Sequence, residues 1–362
     1  MLYYFLFPLR DEFAAFNVFR YITFRAAGAA LTALFLSLVL GPWFIRTLRR
    51  LAVGQPIRDV GPTSHQIKAG TPTMGGLLIL TAVLVPTVLW GNLENAYVLL
   101  ALAATLSFGL VGFSDDLIKL RRRGNQGLTV RRKFLLQVLV AAGVGLLLLY
   151  GLPASYGFAP TLTFPFFKDL VLNLGRLYVP FVAFVLVGAS NAVNLTDGLD
   201  GLAIGATLVA AATYSVLSYV AGHSKVSSYL QIAYVPGVGE VAVFCAALVG
   251  ASLGFLWFNA HPAELFMGDV GSLAIGGAIG SVAVMAKQEL LLVLVGGLFV
   301  LEALSVILQV ASFKLTGRRV FRMAPLHHHF ELAGWAEPKI IVRFWILAIV
   351  FALMSLSTLK LR

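Results

Sequence analysis

Three short motifs combine carboxylates, amides and glycines near the ends of long apolar segments, where ionisable side chains are costly and therefore indicate a functional site. The first motif contains the adjacent residues Asp115 and Asp116, followed one helical turn later by Lys119. Adjacent carboxylates repel each other, and a divalent cation, an ammonium group or protonation relieves that repulsion. This motif could therefore hold a cation, with Lys119 pairing with the carboxylates or reaching a phosphate. Alternatively, the two carboxylates cap the following turn at the water interface.

The second motif, residues 191–201, places Asn194, Asp197 and Asp200 beside two glycines in an uncharged apolar neighbourhood. This composition predicts a broken helix with a loop whose backbone approaches a ligand closely. A tight turn of ordinary turn formers would explain the glycines, but it would leave the density of amides and carboxylates unexplained.

The third motif, residues 259–272, contains Asn259, Phe266 and Asp269. Asp269 stands at the predicted start of a helix, where it could be an N-cap or, beside two glycines, a ligand for a hard cation. Phe266 offers a flat ring on which a base could stack, although packing is the more common role of a loop phenylalanine.

Three consecutive histidines, His327, His328 and His329, lie in a basic loop before the last apolar segment. In an extended segment, His327 and His329 would point the same way. Imidazoles near a phosphate can donate hydrogen bonds or stabilise developing charge. A zinc site is the weaker alternative because the sequence has a single cysteine, Cys245.

Two further polar features carry weaker functional signals. Lys68 precedes a segment rich in glycine and threonine and could bind phosphate, although the residue order is not that of a Walker P-loop. The glycines there could instead permit close helix packing. Glu302 and Gln309 lie seven residues apart, so a helix would place both on one face, pointing into the bundle. A structural hydrogen bond is the more common reason for such a pair.

The elements that carry these motifs must be membrane helices. The chain of 362 residues is 59% hydrophobic and 12% charged, with a mean hydropathy of +0.89. This balance excludes a soluble enzyme, a secreted disulfide-linked protein, a disordered chain and a nucleic-acid-binding protein. The formal charge of +11 is then explained by anionic lipid head groups or phosphorylated substrates. No repeat or soluble segment interrupts the sequence, so residues 1–362 are predicted to form a single membrane domain.

Ten apolar segments are long enough to cross about 30 Å of hydrocarbon, which predicts an all-α polytopic protein with ten transmembrane helices. Their approximate bounds are 22–45, 73–91, 95–114, 134–151, 176–194, 202–221, 239–258, 270–286, 289–313 and 340–358. Segments 46–72, 115–133 and 314–343 hold eighteen of the 27 lysines and arginines. The positive-inside rule makes these segments cytoplasmic and both termini periplasmic, so the active site is expected to be formed by cytoplasmic loops. Residues 161–167, in an outward loop, predict a short strand or hairpin.

Together, the motifs supply carboxylates, amides, lysines and imidazoles at one membrane face, without a nucleophile elbow, paired cysteines or a haem motif. Phosphoryl transfer suits this inventory because it depends on charge neutralisation and in-line positioning. In such a reaction Mg²⁺ would clamp the phosphates, and the loops would hold the nucleotide part of a substrate. A lipid phosphate lying in the bilayer would be the acceptor.

Five segments, in order along the chain, closely resemble the motifs of the phospho-N-acetylmuramoyl-pentapeptide-transferase family, within the polyprenyl-phosphate N-acetylhexosamine-1-phosphate transferase superfamily. They are residues 68–76, 115–119, 194–201, 268–272 and 324–331. The resemblance implies transfer of phospho-MurNAc-pentapeptide from UDP-MurNAc-pentapeptide to undecaprenyl phosphate, which gives lipid I and UMP with Mg²⁺ as cofactor. This is the first membrane step of peptidoglycan synthesis. It also implies a multi-pass homodimer in the bacterial cytoplasmic (inner) membrane.

The roles of the family's residues carry over motif by motif. The resemblance implies catalytic roles for Asp115, Asp116, Asp269, His328 and His329, with Asp269 as the metal ligand. Residues expected to bind substrate, from the resemblance or from the motifs themselves, are Lys68, Lys119, Lys133, Asn194, Asp197, Asp200, Asn259, Phe266 and His327.

Alternative functions and mechanisms remain open from the sequence. A sister enzyme would transfer GlcNAc-1-phosphate from UDP-GlcNAc to the same lipid, although the histidine pattern at residues 325–331 favours the muramoyl enzyme. A proton-coupled transporter would place ionisable groups near the bilayer midplane, where only Glu302 is predicted. Transfer could proceed by direct attack of the lipid phosphate, with Asp115 as base or orienting group, or through a covalent intermediate on a carboxylate.

Overall fold

Long apolar helices dominate the computed structural model, which describes residues 1–51, 70–122, 126–165 and 167–360. The helices are α1 (Leu2–Leu6), α2 (Ile22–Arg50), α3 (Gly76–Trp90), α4 (Ala96–Arg122), α5 (Val130–Leu146), α6 (Tyr178–Thr196), α7 (Leu202–Ala221), α8 (Ser224–Leu230), α9 (Val241–Asn259), α10 (Gly268–Met285), α11 (Leu292–Val295), α12 (Gly297–Thr316), α13 (Leu326–Leu332) and α14 (Glu337–Ser357). Short 3₁₀ or π turns occupy Phe7–Asp11, Ala14–Arg20, Leu147–Gly151, Ala154–Tyr156, Gly175–Leu177, Val238–Glu240 and Thr358–Lys360.

Nine helical stretches in this described part of the chain are long and apolar enough to cross a membrane. They are Ile22–Arg50, Ala96–Arg122, Val130–Gly151, Gly175–Thr196, Leu202–Ala221, Val238–Asn259, Gly268–Met285, Gly297–Thr316 and Glu337–Ser357. The protein is therefore a multi-pass membrane protein, as its composition predicts. The remaining predicted span, 73–91, corresponds to α3, which has 15 residues. At 1.5 Å per residue α3 extends for about 22 Å, less than the roughly 30 Å of a hydrocarbon core.

One predicted span begins later than its apolar composition suggests. The segment 289–313 is predominantly apolar, yet α12 starts only at Gly297. The preceding residues, Leu292–Val295, form the separate short helix α11, and Gly296 lies between the two. Glycine has a low helix propensity, which explains a break at this position.

The centre of the bundle is α10, in which every residue from Val270 to Met285 is buried. Helices α4 and α6 make the most extensive contacts with it. A helix that is apolar on all sides belongs in the interior of a bundle, whereas fewer than a third of the residues of α12 and α2 are buried, as in helices that face lipid. The N-terminal end of α10 is thus held between α4 and α6, and that end carries Asp269.

An antiparallel hairpin covers the opposite end of α10, which confirms the strand or hairpin predicted at residues 161–167. Its strands are β1 (Thr161–Phe164) and β2 (Phe167–Asn173), and Thr161 pairs with Asn173. Beyond the C-terminus of α10, Nζ of Lys287 donates to the backbone oxygen of Thr161 at 3.1 Å. This bond ties the hairpin to the core, far from the motifs at the other membrane face.

Candidate active site

Three carboxylates converge where α4 meets the first turn of α10. Asp115 and Asp116 lie in the C-terminal part of α4, and Asp269 is the second residue of α10. One oxygen atom from each of the three lies within 4.8 Å of the other two. Asp115 and Asp116 are buried, and Asp269 is nearly so. The sequence-based prediction that these acids share one site is therefore consistent with the geometry.

Two lysines lie among these carboxylates. The Nζ atom of Lys119 is 2.6 Å from Oδ2 of Asp115 and 3.4 Å from Oδ1 of Asp116. Nζ of Lys133, at the start of α5, is 3.0 Å from Oδ2 of Asp269 and 3.9 Å from Oδ2 of Asp115. Two ammonium groups offset three carboxylates, which lowers the electrostatic cost of burying the acids together.

Backbone amides fix the carboxylates of α4. Oδ2 of Asp116 accepts a hydrogen bond of 3.1 Å from the backbone N–H of Val270, so this residue caps the first turn of α10 rather than a turn of its own helix. Oδ1 of Asp115 accepts a bond of 2.8 Å from the backbone N–H of Leu128, which positions the segment leading into α5. Both acids are buried and neither caps the turn that follows it in α4, so the capping alternative is wrong. The other oxygen atoms of both acids face Lys119.

A close approach of two helices sets the position of Asp269. A Cβ atom at Gly112 of α4 would lie 2.1 Å from the backbone oxygen of Asp269, so a side chain there would force the helices apart. Asp269 itself lies inside α10 and does not act as its N-cap; the side chain bonds Lys119, Lys133 and Asn194 instead. The N-cap interpretation of Asp269 is therefore wrong, and its carboxylate belongs to the site.

The predicted broken helix is confirmed between α6 and α7. Helix α6 ends at Thr196, and Gly201 adopts φ of +80° before α7 begins, a conformation that favours glycine. Nδ2 of Asn194 donates to Oδ1 of Asp269 at 2.9 Å, which links this loop to the acidic cluster. Desolvation and the nearby carboxylates of Asp269, Asp116 and Asp200 raise the pKa of Asp197 to about 7.

Asp200 and Asn259 bind loop backbone beside the acidic cluster. Oδ2 of Asp200 accepts a bond from the backbone N–H of Ala263 at 3.1 Å and lies 3.2 Å from Nδ1 of His261. Oδ1 of Asn259 accepts a bond of 3.0 Å from the backbone N–H of Gly201, and both polar side chains are buried. Their bonds hold the 194–201 and 259–265 loops together, so both residues shape the site through the loops.

Sequence reasoning missed two residues of this neighbourhood, His261 and Glu337. Oε2 of Glu337 lies 3.5 Å from Nδ1 of His261, and Oε1 of Glu337 accepts a bond from the backbone N–H of Asp200. His261 is a polar residue inside the third motif, so it could have been recognised from the sequence as a candidate. Glu337 begins α14, more than 130 residues from Asp200, and no local pattern could have linked the two.

Phe266 lies beside the segment that follows Lys68. Its backbone N–H donates to Pro72 and its carbonyl accepts from Gly75, each at 2.8 Å. The half-buried ring of Phe266 therefore lies next to residues 70–76 and immediately before α10. Lys68 lies outside the described residues, so its predicted phosphate contact stays a prediction.

The three histidines are not extended, and this prediction is wrong. They lie in the helix α13, so adjacent imidazoles point in different directions and meet different partners. His327 is fully buried, with Nδ1 at 3.2 Å from Oε2 of Glu302. Nδ1 of His328 lies 2.6 Å from Oε2 of Glu331. Nδ1 of His329 accepts a bond from a backbone N–H at 3.1 Å.

The prediction that Glu302 and Gln309 both point into the bundle holds for Glu302 but not for Gln309. Glu302 is buried in the bundle, whereas Gln309 is only half-buried. The amide group of Gln309 bonds the backbone of Val320 and Phe321 at 2.9–3.0 Å. Gln309 thus fastens the loop that precedes α13, and its bonds are structural.

The donor set suits a hard divalent cation. Asp115, Asp116 and Asp269 offer carboxylate oxygens, the ligand type that Mg²⁺ prefers, within one small volume. Among the described residues, the triple-histidine segment forms no comparable group of ligand atoms, which does not support the zinc alternative there. The same carboxylates with Lys119 and Lys133 could position a diphosphate, because a cation and two ammonium groups would offset its charge.

Comparisons with known proteins agree with this geometry. The glycosyl transferase family 4 model matches residues 98–287, which carry all three acids of the cluster. The phospho-N-acetylmuramoyl-pentapeptide-transferase signature 1 matches residues 68–80.

Relatives named phospho-N-acetylmuramoyl-pentapeptide-transferase match over the full length of both chains. The protein from Desulfatibacillum aliphaticivorans is 60% identical over 364 residues. Those from Citrifermentans bemidjiense and Koribacter versatilis are 58% and 56% identical. All three alignments cover 100% of this chain and 100% of the relative. The chain therefore belongs to the phospho-N-acetylmuramoyl-pentapeptide-transferase family.

Proposed function

We propose that this protein transfers phospho-MurNAc-pentapeptide from UDP-MurNAc-pentapeptide to undecaprenyl phosphate and releases UMP, forming lipid I at the cytoplasmic face of the bacterial inner membrane. The observation that carries this proposal is the convergence of Asp115, Asp116 and Asp269 on Lys119 and Lys133. In a member of this family, such a cluster suits a reaction in which a diphosphate bond breaks and a new one forms.

Each charged group has a task in this scheme. Lys119 and Lys133 would bind the donor's phosphate oxygens, and Asn194 would keep the carboxylate of Asp269 in place. Asp115 would orient the attacking phosphate oxygen of the lipid or accept its remaining proton. Asp269, with Asp115 and Asp116, would hold Mg²⁺, which when bound would supply charge neutralisation for the departing UMP. Direct attack needs no covalent enzyme intermediate.

The nucleotide would lie on the loops beside the cluster. Phe266 presents a half-buried ring there, and a base can stack on such a surface. Asp197 lies on the adjoining loop. Helix α13 carries His328 and His329, and its residue His327 contacts that loop at Gly198. We propose that Lys68 also binds the donor, because it begins the segment that matches the family's signature 1.

The proposed topology has ten spans, with α3 as a short tenth. Its N-terminal end pairs with the backbone before α10, at the level of the acidic cluster. Its C-terminal end lies near Arg25 at the start of α2, which supports a tenth span. With the basic segments inside, both termini would lie in the periplasm. We expect a homodimer because the resemblance implies one.

UMP release from the detergent-purified protein tests the proposed reaction. The assay compares UDP-MurNAc-pentapeptide with UDP-GlcNAc, each with and without undecaprenyl phosphate and Mg²⁺. Release that needs the muramoyl donor, the lipid and the metal is the expected result. Release with UDP-GlcNAc but not with UDP-MurNAc-pentapeptide would assign the protein to the sister reaction. No release with either donor would overturn the proposal. Phosphorylated enzyme formed from the donor without lipid would contradict direct attack.

A further inference from the structure

A fully buried carboxylate lies in the membrane-crossing helix α12 and has no place in the chemistry described so far. Glu302 has 0% of its surface exposed. A buried carboxylate costs free energy unless it is paired, so its partner indicates why the residue is there. That partner is His327: Nδ1 lies 3.2 Å from Oε2 of Glu302, and the backbone N–H of His327 donates to Oε1 at 3.2 Å.

The opposite edge of the same imidazole touches the loop of the candidate site. A Cβ atom at Gly198 would lie only 2.2 Å from Nε2 of His327, so the ring packs directly against the loop backbone. His327 is itself 0% exposed. Within the described part of the chain neither ring nitrogen makes a hydrogen bond, so Nδ1 and Oε2 of Glu302 are in close electrostatic contact without a hydrogen bond between them. The residue before Gly198 is Asp197, and Asn194 on the same loop bonds Asp269.

We propose that Glu302 is a positioning residue that acts through His327 on the loop of residues 194–201. Oε1 of Glu302 accepts the backbone N–H of His327, and Oε2 faces Nδ1 at 3.2 Å, so Glu302 fixes the position of the imidazole against which the loop packs. A carboxylate beside the far nitrogen of a functional histidine orients the ring in this way. The proposal rests on the proposed transferase function, since the loop carries groups assigned to the donor.

The Glu302→Gln variant separates positioning from simple packing. Glutamine keeps the volume and an acceptor for the backbone N–H of His327, but it removes the charge that Nδ1 faces. We expect kcat/KM for UDP-MurNAc-pentapeptide to fall by about tenfold or more, mainly through KM, because removing the group that orients a functional histidine has effects of this order. The matched control is Ser305→Ala, a buried residue one turn away whose hydroxyl bonds the backbone oxygen of Glu302 and not its carboxylate.

A double-mutant cycle with His327→Gln tests the route of the effect. If Glu302 acts through His327, Glu302→Gln should cause no further loss in a protein that already carries His327→Gln. Losses that multiply in the double variant would show that Glu302 acts independently and would overturn the proposal. Wild-type kcat and KM in Glu302→Gln would overturn it as well.

Amide hydrogen exchange provides a readout that does not depend on turnover. In Glu302→Gln, residues 197–201 should exchange faster than in the wild type, while Ser305→Ala should leave their exchange unchanged. Unchanged exchange in Glu302→Gln would overturn the positioning role. If the wild type released no UMP while the loop still responded to Glu302→Gln, the transferase function would fail and the structural link would stand.

Discussion

Nζ of Lys119 lies 2.5 Å from Oδ2 of Asp269, although 150 residues separate the two in the sequence. This ion pair joins α4 to the first turn of α10 and brings a cation to the centre of the three acids. Removing the ammonium group should leave the carboxylates repelling each other and the donor's phosphates without a counter-charge.

We therefore expect Lys119→Met to lower kcat for UMP release by about a hundredfold, the order seen when a group that stabilises transition-state charge is removed. Lys225→Met is the matched control, because Lys225 is an exposed residue of α8 and should retain wild-type activity. Activity in Lys119→Met within twofold of the wild type would show that the ion pair is dispensable.

The packing of α4 on α10 should also affect the rate of UMP release. Gly112→Ala places a methyl group 2.1 Å from the backbone oxygen of Asp269, so the helices must separate. Misplacement of a reacting group by about 1 Å can cost about a hundredfold in rate, and we expect a loss of at least tenfold in kcat. Gly143→Ala, in α5, meets no atom within 4 Å and should retain activity. Equal activity of the two variants would contradict this packing constraint.

The elements of the fold were more predictable than the contacts between them. Apolar length predicts membrane helices such as α4 and α10, and glycines with polar residues predict the break after Thr196. Sequence alone could not show that α13 is helical, because three histidines fit an extended segment equally well. It also could not pair Glu302 with His327, or Glu337 with His261, since these contacts depend on how distant helices pack.

Stability should fall as the pH rises through the titration of Asp197. The pKa of this group is about 7 in the folded protein, against an ordinary value of 3.8. Between these values the folded state binds more protons than the unfolded state, so its stability decreases with increasing pH. Asp197→Asn cannot ionise and should unfold at a higher temperature than the wild type at pH 8.

That advantage should shrink as the pH is lowered toward 5, where the native carboxyl is already protonated. Thermal unfolding in detergent at several pH values measures the difference, with the exposed residue Asp11→Asn as the control. A difference that grows on acidification would contradict the raised pKa of Asp197.

An ion pair at the opposite end of the bundle should affect stability without affecting catalysis. Arg25 is 1% exposed, and two of its nitrogens each lie 2.7 Å from an oxygen of Glu240. Glu240→Ala would leave the guanidinium buried without its carboxylate, at a cost of about 3–5 kcal/mol. We expect a lower unfolding temperature but a normal kcat below that temperature. An unchanged unfolding temperature would show that the pair contributes little.

The central claim is that the acidic cluster performs phosphoryl transfer with a bound cation. The most direct test measures UMP release from UDP-MurNAc-pentapeptide and undecaprenyl phosphate while Mg²⁺ is titrated into metal-stripped wild type and Asp269→Asn. We predict that the wild type is inactive after metal removal and regains activity with Mg²⁺, while Asp269→Asn stays inactive at every Mg²⁺ concentration, although it folds. Full activity of Asp269→Asn, or of the metal-stripped wild type, would contradict the claim.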